Sequence, residues 1–117
     1  ESTEAAPDQI AQAEIGYQKA EILLRMGQFR EAIPYLRQAV DLVPDEEDFH
    51  ATLGWALYKT SPSEPRRAQE ALEKAIQLKP DHALAHFRLG IVYRALGDTR
   101  RAQKALEKAK GLERAKP

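Results

Sequence analysis

Apolar residues recur three and four positions apart along almost the whole chain, the spacing that gives an α-helix one buried stripe. Alternating runs of β-branched and polar residues, the mark of strands, are missing from the sequence. Ala, Leu, Glu, Gln, Arg and Lys, the strong helix formers, dominate, and only six of 117 residues are Gly. The pattern predicts an all-α fold. Pro7 and Asp8 mark a helix start, so the first helix should run from about residue 7 to residue 26.

Three blocks of the chain fall into register: residues 13–46, 47–82 and 83–114. The last two match most closely, RRAQEALEKAIQL against RRAQKALEKAKGL and HATLGWALY against HFRLGIVYR. Each block reads as two helices. The first carries a small residue at Ala20, Gly54 and Gly90, and it ends near Gly27 and Gly97. The second carries Ala32, Ala68 and Ala102, then Ala39, Ala75 and Ala109, with Leu36, Leu72 and Leu106 between them. Pro44 and Pro80 close the first two blocks. Small residues let the paired helices approach closely, while one pair alone cannot bury its own stripe, so neighbours must stack.

In these positions the blocks resemble the tetratricopeptide repeat, a unit of about 34 residues. The resemblance covers residues 13 to about 112. It implies a right-handed α-solenoid of three antiparallel helix pairs, six helices in all, with the first helix of each pair lining the concave side. It implies a bacterial member of the family. Residues 1–6 are expected as a disordered tail, 7–112 as a single three-repeat domain and 113–117 as a frayed end. The expected function is a non-enzymatic adaptor or scaffold holding a peptide or helix of a partner protein in the concave groove. The alternative is a structural domain that packs on a second copy or on a neighbouring domain of a longer parent chain. A longer parent is itself expected, since the only Met is Met26.

Three departures refine the expectation. Two extra residues separate the helices of the second repeat, within Thr60–Pro65, and should protrude as a loop. Pro34 falls early in its helix, where within the first turn a missing N–H costs little. Arg114 replaces the closing Pro of the third repeat, and Lys110 stands where its siblings have Val40 and Ile76. The third repeat therefore reads as the terminal one, with its end uncovered.

First-helix positions not spent on packing should face the groove. The candidate partner-binding residues are Tyr17 and Glu21 in the first repeat and Trp55 and Tyr58 in the second. Leu84, Phe87, Arg88, Ile91 and Arg94 follow in the third. Trp, Tyr and Arg often anchor interfaces, although an aromatic at helical spacing is as readily core. Chaperone-binding members of the family grip a C-terminal carboxylate with a Lys and an Asn, then an Asn, then a Lys and an Arg. The matching positions here are Tyr17 and Glu21, Thr52, then Leu84 and Arg88. Only Arg88 survives and Glu21 would repel a carboxylate, so recognition of that kind is not expected.

Formal net charge is zero but is split along the chain: −7 over residues 1–49, +1 over 50–87 and +6 over 88–117. An acidic front and a basic back make a homo-oligomer through the uncapped ends a further expectation. Neither nucleic acid nor a membrane is expected as a partner, because the charge balances and no apolar run approaches ~20 residues. Cysteine is absent, which fits the cytoplasm or, alternatively, a bacterial periplasm. No secretory signal is read at the start. No cofactor, catalytic group or metal site is expected. His82 and His86 lie four apart but lack a third ligand beyond Asp81. His50 and His86 hold equivalent repeat positions, which points to shared packing. Asp45, Glu46, Glu47 and Asp48 read as negative charge at a helix start.

Overall fold

The computed structural model describes residues 4–117. Six helices follow one another: α1 Pro7–Arg25, α2 Phe29–Leu42, α3 Glu47–Thr60, α4 Arg66–Leu78, α5 Ala83–Ala95 and α6 Thr99–Arg114. No strand occurs among the described residues. Consecutive helices form three hairpins, and α2 on α3 and α4 on α5 join them into an all-α solenoid. Ala6 is the N-cap of α1, and α6 continues through Glu113 and Arg114, beyond the domain boundary expected at residue 112. The first three residues of the expected N-terminal tail lie outside the described residues.

The small residues form the seams. Ala20, Ala32, Ala39, Ala68, Ala75, Ala102 and Ala109 are all buried, and so are Gly54 and Gly90. A Cβ placed on Gly90 would stand 2.7 Å from Leu106 Cγ, so the α5–α6 approach depends on glycine there. Leu36 and Leu72 are fully enclosed, and Leu72 sits in the central cluster with Ala51, Ala75, Leu89 and Val92. α1 and α5 each end with a glycine at positive φ, Gly27 at 77° and Gly97 at 81°. The next amide donates back to Leu23 and Tyr93 respectively, which satisfies a carbonyl of the last turn. α3 instead runs into the five-residue loop 61–65.

The equivalent histidines share one task. His50 Nε2 donates to the Pro44 carbonyl at 2.7 Å, and His86 Nε2 to the Pro80 carbonyl at 2.8 Å. Each pins the turn that joins one repeat to the next. The last two pairs are also clasped by Tyr93, whose hydroxyl donates to Glu73 Oε2 at 2.6 Å, with the Arg101 guanidinium 4.5 Å from its ring centre. Burial, then the Glu73 carboxylate, pushes the Tyr93 phenol up to about 12. The folded state thus holds this proton more tightly than the unfolded chain, whose value is near 10.0. Its contribution is complete below pH 10 and is lost as pH rises through about 12. Tyr93→Phe should cost about 1 kcal/mol at neutral pH and flatten that alkaline decline, as measured by urea unfolding across pH.

Pro34 is the sixth residue of α2, so it lies past the first turn in which it was expected. It removes the amide that would bond the Arg30 carbonyl, and both residues are exposed, so solvent is at hand for that carbonyl. Pro34→Ala should raise stability by about 1–2 kcal/mol, the helix-interior penalty less the entropy returned to the unfolded chain. A higher urea midpoint at unchanged slope is the expected reading.

Candidate functional site

The first helices α1, α3 and α5 lie side by side and leave a groove across their shared face. Its walls are Tyr17, Glu21, Leu24 and Arg25 from α1, and Leu84 and Arg88 from α5, with His82 at the head of α5. Asp48, Ala51 and Thr52 of α3 lie between them, and the cavity holds about 220 Å³. Small side chains at Ala51 and Thr52 are what make it a hollow. The Tyr17 ring rests on Phe49 at 4.9 Å, and its hydroxyl shares a hydrogen bond with Thr52 Oγ1 at 3.1 Å. Burial, more than any other influence, raises the Tyr17 phenol above its ordinary range.

Two polar features organise the rest. His82 Nδ1 accepts from the Ala85 amide and so caps α5, which leaves Nε2–H to donate to Asp48 Oδ1 at 2.7 Å. One imidazole therefore ties the second repeat to the third and fixes its own tautomer. With His86 bonded to the Pro80 carbonyl and His82 to Asp48, the two histidines meet different partners at the α4–α5 turn. Arg88 is half-buried, and its guanidinium lies 5.3 Å from the Trp55 ring centre. Burial pulls its pKa down, partly opposed by Tyr17 and Asp48. It stays charged, and a partly dehydrated guanidinium gains more from an incoming carboxylate than one in bulk water.

The nine candidate residues separate into groups. Tyr17, Glu21, Leu84 and Arg88 line the groove. Trp55 is half-buried beside it, with Arg88 on its ring, Lys59 at 5.5 Å and Tyr58 at 5.7 Å. Tyr58 is half-buried and packs on the central cluster as well. Ile91 is half-buried and Arg94 exposed, both further along α5 and outside the cavity walls. Phe87, 47% exposed, stands elsewhere: with Leu84, Leu106 and Ala109 it lines a hollow on the open end of the last pair. His82 was absent from the expected groove set, and its sequence signal is its place just ahead of α5, in helix N-cap position. All five positions matched to the carboxylate-gripping members, Tyr17, Glu21, Thr52, Leu84 and Arg88, converge on this one groove.

A wider cleft of about 680 Å³ opens elsewhere, between the last two pairs, around Glu73, Ile76, Tyr93 and Arg101. Its main polar groups already satisfy one another, Tyr93 on Glu73 and Arg101 on Asp98. The groove on α1, α3 and α5 is the stronger candidate because Leu84 is exposed there and Arg88 forms no ion pair among the described residues.

Two family models, each described as tetratricopeptide repeat, match residues 17–61 and 63–115. This chain belongs to the tetratricopeptide repeat family, a fold that generally serves protein–protein interaction and not catalysis. Among solved structures, the first TPR of Spaghetti (RPAP3) bound to HSP90 peptide SRMEEVD superposes with a TM-score of 0.85 at 19% identity, over 98% of this chain and 87% of that one. YrrB, described as a TPR protein with an unusual peptide-binding site, gives 0.79 at 22% identity, over 89% of this chain and 53% of that one. MamA from Desulfovibrio magneticus RS-1 gives 0.77 at 28% identity, over 86% of this chain and 56% of that one. The chain thus spans about half the length of YrrB and MamA. A comparison with curated proteins finds no match. No helix among the described residues is long and apolar enough to cross a membrane.

Proposed function

We infer that this chain is a non-enzymatic interaction module that holds an extended peptide of a partner protein along α1, α3 and α5. The observation that carries the reading is the convergence of Tyr17, Glu21, Thr52, Leu84 and Arg88 on one groove, with Arg88 half-dehydrated against Trp55. At about 220 Å³ the cavity is smaller than the ~300–1,000 Å³ usual for a small-molecule pocket. It suits one or two side chains of a peptide that continues along the face. Arg88 offers a two-pronged donor to a carboxylate, and Leu84 beside it offers apolar cover. Glu21 and Asp48 favour a basic residue further along the same peptide. The preferred ligand is therefore an acidic residue next to an aliphatic one, with a Lys or Arg close by. The peptide held by the Spaghetti domain supports the use of the fold, and the residue differences at Tyr17, Glu21, Thr52 and Leu84 argue for another sequence.

Selection of displayed peptides on the immobilised chain, followed by titration, tests this. Trp55 is the only Trp and borders the groove, so its fluorescence should report binding directly. Arg88→Glu should weaken the selected peptides about tenfold to a hundredfold, the worth of a charge-assisted hydrogen bond. Lys108→Glu, in the wider cleft, should leave affinity unchanged. Equal binding by Arg88→Glu and the native chain would remove the groove from the account.

A further inference from the structure

The two ends of the solenoid carry the two halves of the joint that its own repeats make with one another. Alignment at Ala20, Gly54 and Gly90 pairs Ile15 with Phe49 and Ala85, Lys19 with Leu53 and Leu89, and Ile22 with Ala56 and Val92. In α3 and α5 these positions are buried against the preceding pair: Phe49 on Ala39, Leu53 and Ala56 near Leu36, Val92 near Leu72. In α1 they face outward, Ile15 at 56% and Ile22 at 50% exposure, flanked by Met26 at 64%. A surface helix has no need of three such residues on one side. The opposite end offers the matching receptor. Phe87, Leu106 and Ala109 hold the positions that Tyr17, Leu36 and Ala39 use to receive the second pair, and they line an open hollow of about 580 Å³ with Leu84 and Lys110.

We propose that copies of this chain associate head to tail, the outer face of α1 seating on the open α5–α6 end of the next copy. The occupant is a second copy because register and charge both fit. Phe87 would meet Ile15 of the next copy as Tyr17 meets Phe49 at 4.9 Å within one chain. Arg37 and Leu53 border one hollow, and Glu73 and Leu89 another, so the same step places Glu107 against Lys19 of the next copy. The residue that breaks the apolar pattern of the α1 face thus finds an opposite charge, and Lys110, which stands where Val40 and Ile76 pack, can lay its aliphatic stem on this joint and keep its ammonium in water. The long-range field agrees, with −7 in residues 1–49 approaching +6 in residues 88–117. Such a contact is heterologous, so it grows into an open series and does not close at a dimer.

The test uses two blocked variants of the whole chain, Ile22→Glu at the head and Phe87→Glu at the tail, each checked for native helicity. In sedimentation at low salt the native chain should show mass rising steadily with concentration. Each blocked variant alone should remain monomeric, and an equimolar mixture should give a heterodimer and nothing larger, since one open head meets one open tail. Raised salt should weaken the association. Lys19→Glu and Glu107→Lys should each weaken it about fivefold, and the double variant should recover it. This exchange keeps the proposal testable if a blocked variant misfolds. A native chain that stays monomeric at millimolar concentration overturns the proposal. So does a blocked variant that dimerises alone, a mixture that stays monomeric, or a charge exchange without recovery.

Discussion

Leu72→Ala is expected to lower stability by about 3–5 kcal/mol. Leu72 is fully enclosed between the second and third pairs, where it meets Ala51, Ala75, Leu89 and Val92. Those neighbours are themselves small or held on rigid helices, so little can move in to fill the space. A domain of this length has roughly 6–17 kcal/mol in total, and the melting temperature should fall by about 10–20 °C. Leu106 is the equivalent residue of the last pair, but it is only partly buried, since no further pair covers it among the described residues. Leu106→Ala should therefore cost about 1 kcal/mol in a dilute, monomeric sample. Urea melts of the two variants measure the difference. Equal losses would mean that Leu72 does not seal a joint between pairs.

The second large effect is at the α3–α4 seam. Gly54→Val should lose about 3 kcal/mol. Even a single Cβ there would come within 2.8 Å of Leu72 Cγ and 3.1 Å of the Ala68 carbonyl oxygen, and that oxygen belongs to backbone that cannot turn aside. Helix propensity argues the other way by about 1 kcal/mol, so Gly54→Ala should come out as a smaller net loss. Gly111 supplies the contrast, since nothing lies within 4 Å of its added Cβ. Gly111→Ala should gain up to about 1 kcal/mol. Thermal melts of the three variants should rank Gly111→Ala above native, native above Gly54→Ala, and Gly54→Val last.

The seams were legible in the sequence because close approach leaves few choices. Only Ala or Gly fits at positions such as Ala39, Ala75 and Ala109, and their recurrence marked the phase of all six helices. The shared role of His50 and His86 followed from the same phase. The groove was harder to read. Phe87 shares its repeat position with Tyr17 and Ala51, which gives it the right side of the helix. That position lies between the groove and the stacking face, and a following pair decides which face it serves. No pair follows the third among the described residues, so Phe87 stands on the open end of the last pair described. His82 was weighed as a metal ligand because its i, i+4 spacing to His86 is conspicuous. Which residue begins α5 decides its role, and a helix start is set by capping geometry and not by periodicity. Pro34 differed for a related reason, since α2 begins at Phe29 and carries it into the second turn. The stacking of Arg88 on Trp55 joins different repeats, and helical spacing within either repeat carries no information about it.

Amide chemical-shift mapping of the native chain, titrated with the tightest selected peptide, locates the partner residue by residue. The largest shifts should fall in α1 around Tyr17 and Glu21, in α3 from Asp48 to Trp55, and at the start of α5 from His82 to Arg88. Shifts centred instead on α4 and α6, around Glu73, Arg101 and Lys108, would place the partner on the other side of the solenoid and overturn the groove as its seat.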